Sequence, residues 1–297
     1  MLRHETNIDT VAMQLDFDNQ IDQRNKLKWL CDWIVKRGLG NLKIDASNKQ
    51  KHSIKYNLLH GNSKLATIHT GYTRTKDENN RFIECYYFRI RFAGLKSHKP
   101  LQDMAAYKCL ITICAYLNTT RTKYRFAELD VAIDIFSTFH NVLVGCTRKS
   151  PNVKYNELGK VQYYNKIPTS YIEDYSNMQQ KKNAVLRAYV YNKTAKENLP
   201  FIVTRFEVKL QNRFFLKNNF NVNSIINVLD RYDIMHFNSF VEKQHVINQY
   251  NRGDISKKNR LQINSAVIKE FIRQVKEAYV DLQGSVVLPL LNVNLSK

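Results

Sequence analysis

Three segments of this 297-residue chain carry acids, tyrosines and bases at strand spacing. They are Glu128-Leu129-Asp130-Val131-Ala132-Ile133-Asp134-Ile135, Arg187-Ala188-Tyr189-Val190-Tyr191-Asn192-Lys193 and Thr204-Arg205-Phe206-Glu207-Val208-Lys209. Read as β-strands, each sends apolar residues to one face and charged or phenolic residues to the other. Glu128, Asp130 and Asp134 share the first polar face; Arg187, Tyr189, Tyr191 and Lys193 share the second; Arg205, Glu207 and Lys209 share the third. If the three faces meet, one surface holds acids, phenols and cations, a mixture suited to chemistry on a phosphodiester.

A tyrosine hydroxyl is a weak nucleophile, with an ordinary pKa near about 10. Attack on phosphorus by Tyr191, or by Tyr189, needs a neighbouring base or cation. Lys193 and Arg205 are the candidates for stabilising the charge that develops. The acids make a separate demand. Same-face neighbours on a strand lie about 6.6 Å apart, where two carboxylates repel by roughly 2–3 kcal/mol at an effective dielectric of 20. Compensation comes either from a hard divalent cation, Mg²⁺ or Mn²⁺, on Asp130, Asp134 and Glu207 with Glu128 as a fourth candidate, or from salt bridges to Arg205 and Arg187. The eight histidines are dispersed without an HxH pair, which removes a two-histidine metal site but not a carboxylate one.

Charge bounds the partner. Lys and Arg number 46 against 26 Asp and Glu, a net charge of +20, and such an excess favours a polyanion. Nucleic acid is preferred over a membrane surface, because the chain has no long apolar run and no basic amphipathic anchor. Hydrophobic residues at 43% and aromatics at 11% describe a folded chain. Cys31, Cys85, Cys109, Cys114 and Cys146 are scattered without CxxC spacing, so neither a disulfide framework nor a zinc site is expected. Nothing after Met1 reads as a signal region, and the expected location is the cytoplasm.

The elements that must position these residues follow from periodicity. The stretch Val11, Met13, Leu15, Phe17 alternates as an opening strand, and a helix runs from about Ile21 to Arg37, ended by Gly38. Strands are expected at Ser53–Leu59 and Leu65–Gly71, joined through Gly61-Asn62, and at Arg81–Phe92. Leu101–Leu117 reads as a helix. The acidic strand spans Tyr124–Phe136, and a less regular segment, His140 to Asn183, contains Val161–Tyr164. The tyrosine strand (Val185–Lys193) and the arginine–glutamate strand (Phe201–Leu210) follow, joined by a polar loop of a hairpin. Beyond them helices are expected at Val222–Arg231, Phe237–Tyr250 and Asn264–Leu282. The expected fold is α+β: an antiparallel sheet with flanking helices over residues 1–215, then a helical, basic region over 216–297. There Lys257, Lys258 and Arg260 lead into a helix carrying Lys269 and Arg273, a candidate contact for duplex phosphates. Arg187, Tyr189 and Lys209 are further DNA-binding candidates.

Together these segments resemble the replication initiators of small rolling-circle plasmids, the Rep proteins typified by staphylococcal tetracycline- and chloramphenicol-resistance plasmids. That family has an LDLAxD-like strand, then a YNK segment, then a WRxEIEL-like strand. The counterparts are Leu129 to Asp134, Tyr191-Asn192-Lys193 and Thr204 to Leu210, with Phe88 to Phe92 similar to an earlier family strand. The likeness covers about residues 82 to 215. It implies a relaxase-like, metal-dependent nicking and joining enzyme. Tyr191 would attack one strand of origin DNA and hold it as a 5′-phosphotyrosine, with Asp130, Asp134 and Glu207 on the metal and Arg205 on a phosphate or an acid. It also implies a host helicase and polymerase as partners, and a homodimer. The origin is engaged as duplex and as an extruded single strand, on whose bases Tyr163, Tyr164 and Tyr171 could stack. The chain departs from the family in three places: Glu128 stands where an arginine is usual, Thr204 replaces the tryptophan, and the glycine–arginine–serine element before the tyrosine strand has no match. Two readings compete with nicking: a non-catalytic DNA-binding initiator or prophage regulator, and an RNA-binding protein of phage origin.

Overall fold

The computed structural model describes residues 2–45, 53–76, 78, 80–146, 154–155, 161–164, 166–174, 186–218, 221–251 and 260–288. In chain order the elements are β1 (His4–Phe17), α1 (Gln20–Lys36), β2 (Asn41–Ile44), β3 (Lys55–His60), β4 (Ser63–Lys76), β5 (Phe82–Ala93), α2 (Pro100–Thr119), β6 (Arg125–Ile135) and β7 (Val142–Cys146). Then come β8 (Lys154–Tyr155), β9 (Gln162–Tyr164), β10 (Ile167–Asp174), β11 (Leu186–Asn192), α3 (Lys193–Glu197), β12 (Thr204–Gln211), α4 (Asn212–Asn218) and α5 (Val222–Leu229). The last are β13 (Tyr232–His236), α6 (Phe240–Asn251), β14 (Arg260–Leu261), α7 (Ser265–Glu277), β15 (Tyr279–Val280) and β16 (Val286–Val287). The fold is α+β, and the ladders of both sheets described below are antiparallel.

The chain divides into two units, Met1–Asp9 with Glu128–Ile268 and Thr10–Ala127 with Lys269–Lys297. Residues 216–268 thus belong to the first and 269–297 to the second, and that stretch holds four short strands as well as helices.

In the second unit the ladder order is β2-β3-β4-β5-β1. Strand β5 alternates strictly: Phe88, Ile90 and Phe92 are fully buried, and Arg89 and Arg91 between them are half-exposed. Each such buried side chain contributes about 1.5–3 kcal/mol of transfer free energy. Leu27, Leu30 and Ile34 form the buried stripe of α1, and Trp29 and Trp33 stack on Tyr116 of α2 at 4.7 and 3.7 Å. Met13 meets Cys114 of α2. The Asn118 amide donates to the carbonyls of Val275, Lys276 and Ala278. That satisfies the C-terminal carbonyls of α7, so this helix stops at Glu277 rather than continuing to Leu282.

In the first unit the order is β1-β6-β12-β11-β10-β8, with β9 paired to β10. Leu129, Val131, Ile133 and Ile135 of β6, with Phe206, Val208 and Leu210 of β12, form its buried apolar face. Phe206 meets Tyr232 of β13 at 5.2 Å, and β13 is the centre of a small sheet, β14-β13-β7. The connection between the tyrosine and arginine–glutamate strands is not a plain polar loop. Asn192 accepts a hydrogen bond from the Ala195 amide (2.9 Å) and caps the short helix α3. Lys193 therefore begins a helix instead of ending a strand. The expected irregular segment holds β7 to β10; in β10, Pro168, Thr169 and Ser170 hide the period of two.

Candidate functional site

The register of the first unit sets the site. Asp134 lies opposite Arg205, and Arg205 opposite Tyr191, which pairs with Thr169. One pleat on, Ala132, Glu207, Tyr189 and Tyr171 form a second row; Asp130, Lys209 and Arg187 form a third. Residues directly opposite in antiparallel strands point to the same side. The acids, tyrosines and bases of the three segments thus share one face, as their spacing predicts.

That face is buried. Asp130 and Asp134 are 0% exposed, Arg205 and Lys193 1%, Glu207 2% and Tyr191 3%. Such groups are tolerable only when paired and hydrogen-bonded, and the rows supply the partners. Arg205 grips Asp134 bidentately, Nε to Oδ1 at 2.6 Å and Nη2 to Oδ2 at 2.7 Å, and its Nη1 donates to Asp9. Lys209 Nζ lies 2.9 Å from Glu207 Oε1 and also contacts Asp130. Tyr189 Oη donates to Glu207 Oε1 at 2.8 Å and Tyr191 Oη to Oε2 at 3.2 Å. Lys196 of α3 donates to Tyr191 Oη at 3.2 Å and sits 4.4 Å from the ring centroid. Arg187 lies over the rings of Tyr171 (5.1 Å) and Tyr189 (5.4 Å).

These contacts set the proton affinities. Burial, joined by the Glu207 carboxylate, pushes both phenols well above their ordinary pKa, so neither ionises unaided at neutral pH. Glu207 resists burial because Lys209 and Tyr189 stabilise its charge; its pKa is held at about 2. Asp130 goes the other way, up to about 8, because burial outweighs the Lys209 ammonium and Glu207 adds repulsion. Its Oδ1 is buried with no hydrogen-bond partner among the described residues. Lys193 is pushed down to about 8 by burial and by the Arg205 charge.

The four carboxylates expected on one divalent cation are divided. Both Asp134 oxygens are occupied by Arg205, and Lys209 stands between Asp130 and Glu207. Glu128 lies one row beyond, half-exposed, opposite Gln211. Among the described residues no three His, Cys, Asp or Glu side chains are grouped to hold a metal. In this geometry the carboxylates do not fit a shared Mg²⁺ or Mn²⁺: the cations on the acidic face are Arg205 and Lys209.

The remaining candidates scatter. Lys257 and Lys258 lie outside the described residues, and Arg260 is described only by its backbone in β14. Lys269 is exposed on α7. Arg273 is tied to Glu270 (2.8 Å) and approaches Glu277 (3.8 Å) on its own helix. Tyr163 is exposed, Tyr164 is described only by its backbone, and Tyr171 packs on Tyr189 at 5.9 Å. Two site residues escape the sequence reading. Asp9, the second acid on Arg205, shares the period-two face of Val11 and Met13, an acid on an otherwise apolar stripe. Lys196 follows Tyr191 by five residues, a spacing that matters only once α3 turns it back.

No family model matches this chain, and no curated protein matches it. Among solved structures it is similar to a rolling circle replication initiator protein from Geobacillus stearothermophilus, at 9% identity and a TM-score of 0.41, over 80% of this chain and 88% of that one. Among the described residues no helix is long and apolar enough to cross a membrane.

Proposed function

We propose that the protein is a replication initiator that nicks and rejoins one strand of origin DNA through Tyr191, starting rolling-circle replication of a plasmid or phage. The observation that carries this reading is the setting of the Tyr191 hydroxyl, which donates to an ionised Glu207 and accepts from Lys196. A phenol held between a carboxylate and an ammonium has a proton acceptor and a counter-charge for its developing phenoxide, the two things a tyrosine nucleophile lacks in water.

In the forward step Tyr191 Oη bonds to phosphorus as the bond from phosphorus to the 3′ oxygen breaks. The phenolic proton leaves through the hydrogen bond to Glu207, which at about 2 relays rather than keeps it. The departing 3′ oxygen takes a proton, for which Lys193, lowered to about 8, is a reservoir. The product is a 5′-phosphotyrosine and a free 3′-hydroxyl. Attack by a 3′-hydroxyl reverses the step and needs no nucleotide, because the phosphodiester's energy is kept in the link. Arg205, committed to Asp134 and Asp9, orients this face. Lys196 lies over the Tyr191 ring on an exposed residue of α3, where its ammonium can also meet the entering phosphate. Metal dependence, a helicase, a polymerase and a homodimer belong to this reading through the sequence resemblance alone.

The test is incubation of the protein with a supercoiled plasmid carrying the element's own replication region, in Mg²⁺ or Mn²⁺ and in chelator. Protein linked covalently to DNA is then read on a denaturing gel. A link formed by the native chain and absent in Tyr191→Phe supports the reading; a link that survives moves the chemistry to Tyr189 or Tyr163. A second reading, a non-catalytic DNA-binding initiator, draws on the burial of Tyr191 and the closed ion pairs around it. It predicts tight binding without any covalent product in either metal or chelator.

A further inference from the structure

The second unit presents a face that the proposed chemistry does not use. On β3, β4 and β5, Lys55 lies opposite His69, His69 opposite Arg89, Thr67 opposite Arg91 and Gly71 opposite Tyr87. All therefore point to one side of the sheet. Over β4 and β5 it is the more exposed side: Thr67, His69, Tyr87, Arg89 and Arg91 are half-exposed, whereas Ile68, Thr70, Phe88, Ile90 and Phe92 are buried on the other. On β1 the same side closes over Ala12 and Gln14.

The chemistry of this face is cationic and aromatic. Tyr87 lies across Gly71: a Cβ there would stand 2.5 Å from Tyr87 Oη. A side chain at 71 would lift the phenol off the sheet, so the glycine is what lets the ring lie flat. His69 meets the ring edge-on at 6.0 Å, and Arg89 lies 5.7 Å from its centroid. Arg89 is held by the neutral amide of Gln14, at 2.7 Å from Nη2 to Oε1. The positive field is felt by His69, whose pKa falls to about 4 through burial and the charges of Arg89 and Lys55.

We infer that this face binds single-stranded DNA, a base stacking on Tyr87 while Arg89 and Arg91 pair with the flanking phosphates; Lys55 beside them is paired with Asp45 at 2.8 Å. A flat ring ringed by cations is the arrangement that takes unpaired bases of any sequence. A duplex offers no free base face for such a ring. The inference rests on the nicking reading only for its choice of DNA.

The test measures anisotropy of a fluorescein-labelled oligo-dT against the full chain over a range of salt. Expected are a roughly tenfold weaker affinity for Tyr87→Leu, and for Arg89→Gln with Arg91→Gln a salt slope smaller by about 1.4, two phosphates at ~0.7 each. Lys28→Gln, an exposed lysine on α1, should match the native chain. Arg91→Gln alone serves if Tyr87→Leu melts early, since it disturbs no glycine contact. Native affinity and slope in all these variants would overturn the inference, as would a native chain that binds no oligo-dT or prefers duplex. The covalent assay separates the two claims. A Tyr191 adduct with unaffected binding variants removes this surface and leaves nicking; lost binding in the variants without any adduct does the opposite.

Discussion

The two sheet faces use the same residue types to opposite ends. In the first unit Arg205, Asp130, Asp134 and Glu207 are almost wholly buried and Lys209 is half-buried, and each cation is held by two acidic side chains. In the second unit Lys55, Arg89 and Arg91 stay half-exposed; Lys55 pairs with a single carboxylate, Asp45, at 2.8 Å, and Arg89 contacts a neutral amide. Desolvation explains the contrast. A buried charge is tolerated only with a partner in place, so it becomes architecture and can position a phenol. A partly exposed charge keeps part of its water, and can exchange that water for a phosphate.

The contrast is broken most directly at Arg205. Arg205→Leu leaves Asp134 and Asp9 without their donor in a dry site, which should cost about 3–5 kcal/mol, read from urea unfolding midpoints. A loss below ~1 kcal/mol would mean that water reaches this face and that its burial is not what holds the pair.

Lys209 sharpens the same point. Lys209→Met leaves Asp130 and Glu207 facing each other with no ammonium between them, and should cost about 3 kcal/mol. If Lys209 is the cation of this site, the variant opens a place for a divalent ion. Millimolar Mn²⁺ should then raise the melting temperature of Lys209→Met and leave that of the native chain unchanged. An equal rise in both would show metal already binding beside Lys209, and would return the carboxylates to the role that the sequence resemblance gives them.

What the sequence made legible follows the same physics. The three polar strands and the residues that share a face on each were readable because a period of two puts residues on faces regardless of what covers them; the register that aligns Asp134, Arg205 and Tyr191 was not. The alternation says nothing about depth, however, so a surface expected to meet solvent and metal lies buried and self-neutralised. Lys196 was illegible because its contact depends on α3, which an Asn192 cap creates inside an expected loop. The end of α7 depends on Asn118, more than 150 residues away, beyond any local signal. Asp9 was hidden for a simpler reason: a single acid on the stripe of Val11 and Met13 has no meaning until Arg205 is known to reach it.

A smaller effect tests the asymmetry within the buried face. Asp130, near 4 when unfolded, is raised to about 8 in the fold, so the native state binds the extra proton between those values and stability falls as pH rises through them. His69, lowered to about 4, acts oppositely over about 4 to 6.5, and Lys193, lowered to about 8, restores stability only above 8. Asp130→Asn removes the first of these and keeps the others. Its stability relative to the native chain should therefore increase steadily from about pH 5 to about pH 8 in urea titrations. A constant difference would mean that Lys209 keeps Asp130 ionised throughout.

The smallest effect is expected where the two faces differ most. Arg91→Gln removes a charge of the same kind as Arg205 from a half-exposed position. Surface changes of this sort lie within about ±0.5 kcal/mol. The urea midpoint should not move, while the affinity for oligo-dT falls. Should Arg91→Gln destabilise the chain as Arg205→Leu does, the second face would be structural like the first, and the distinction between charges that hold the fold and charges that meet a ligand would not apply to this protein.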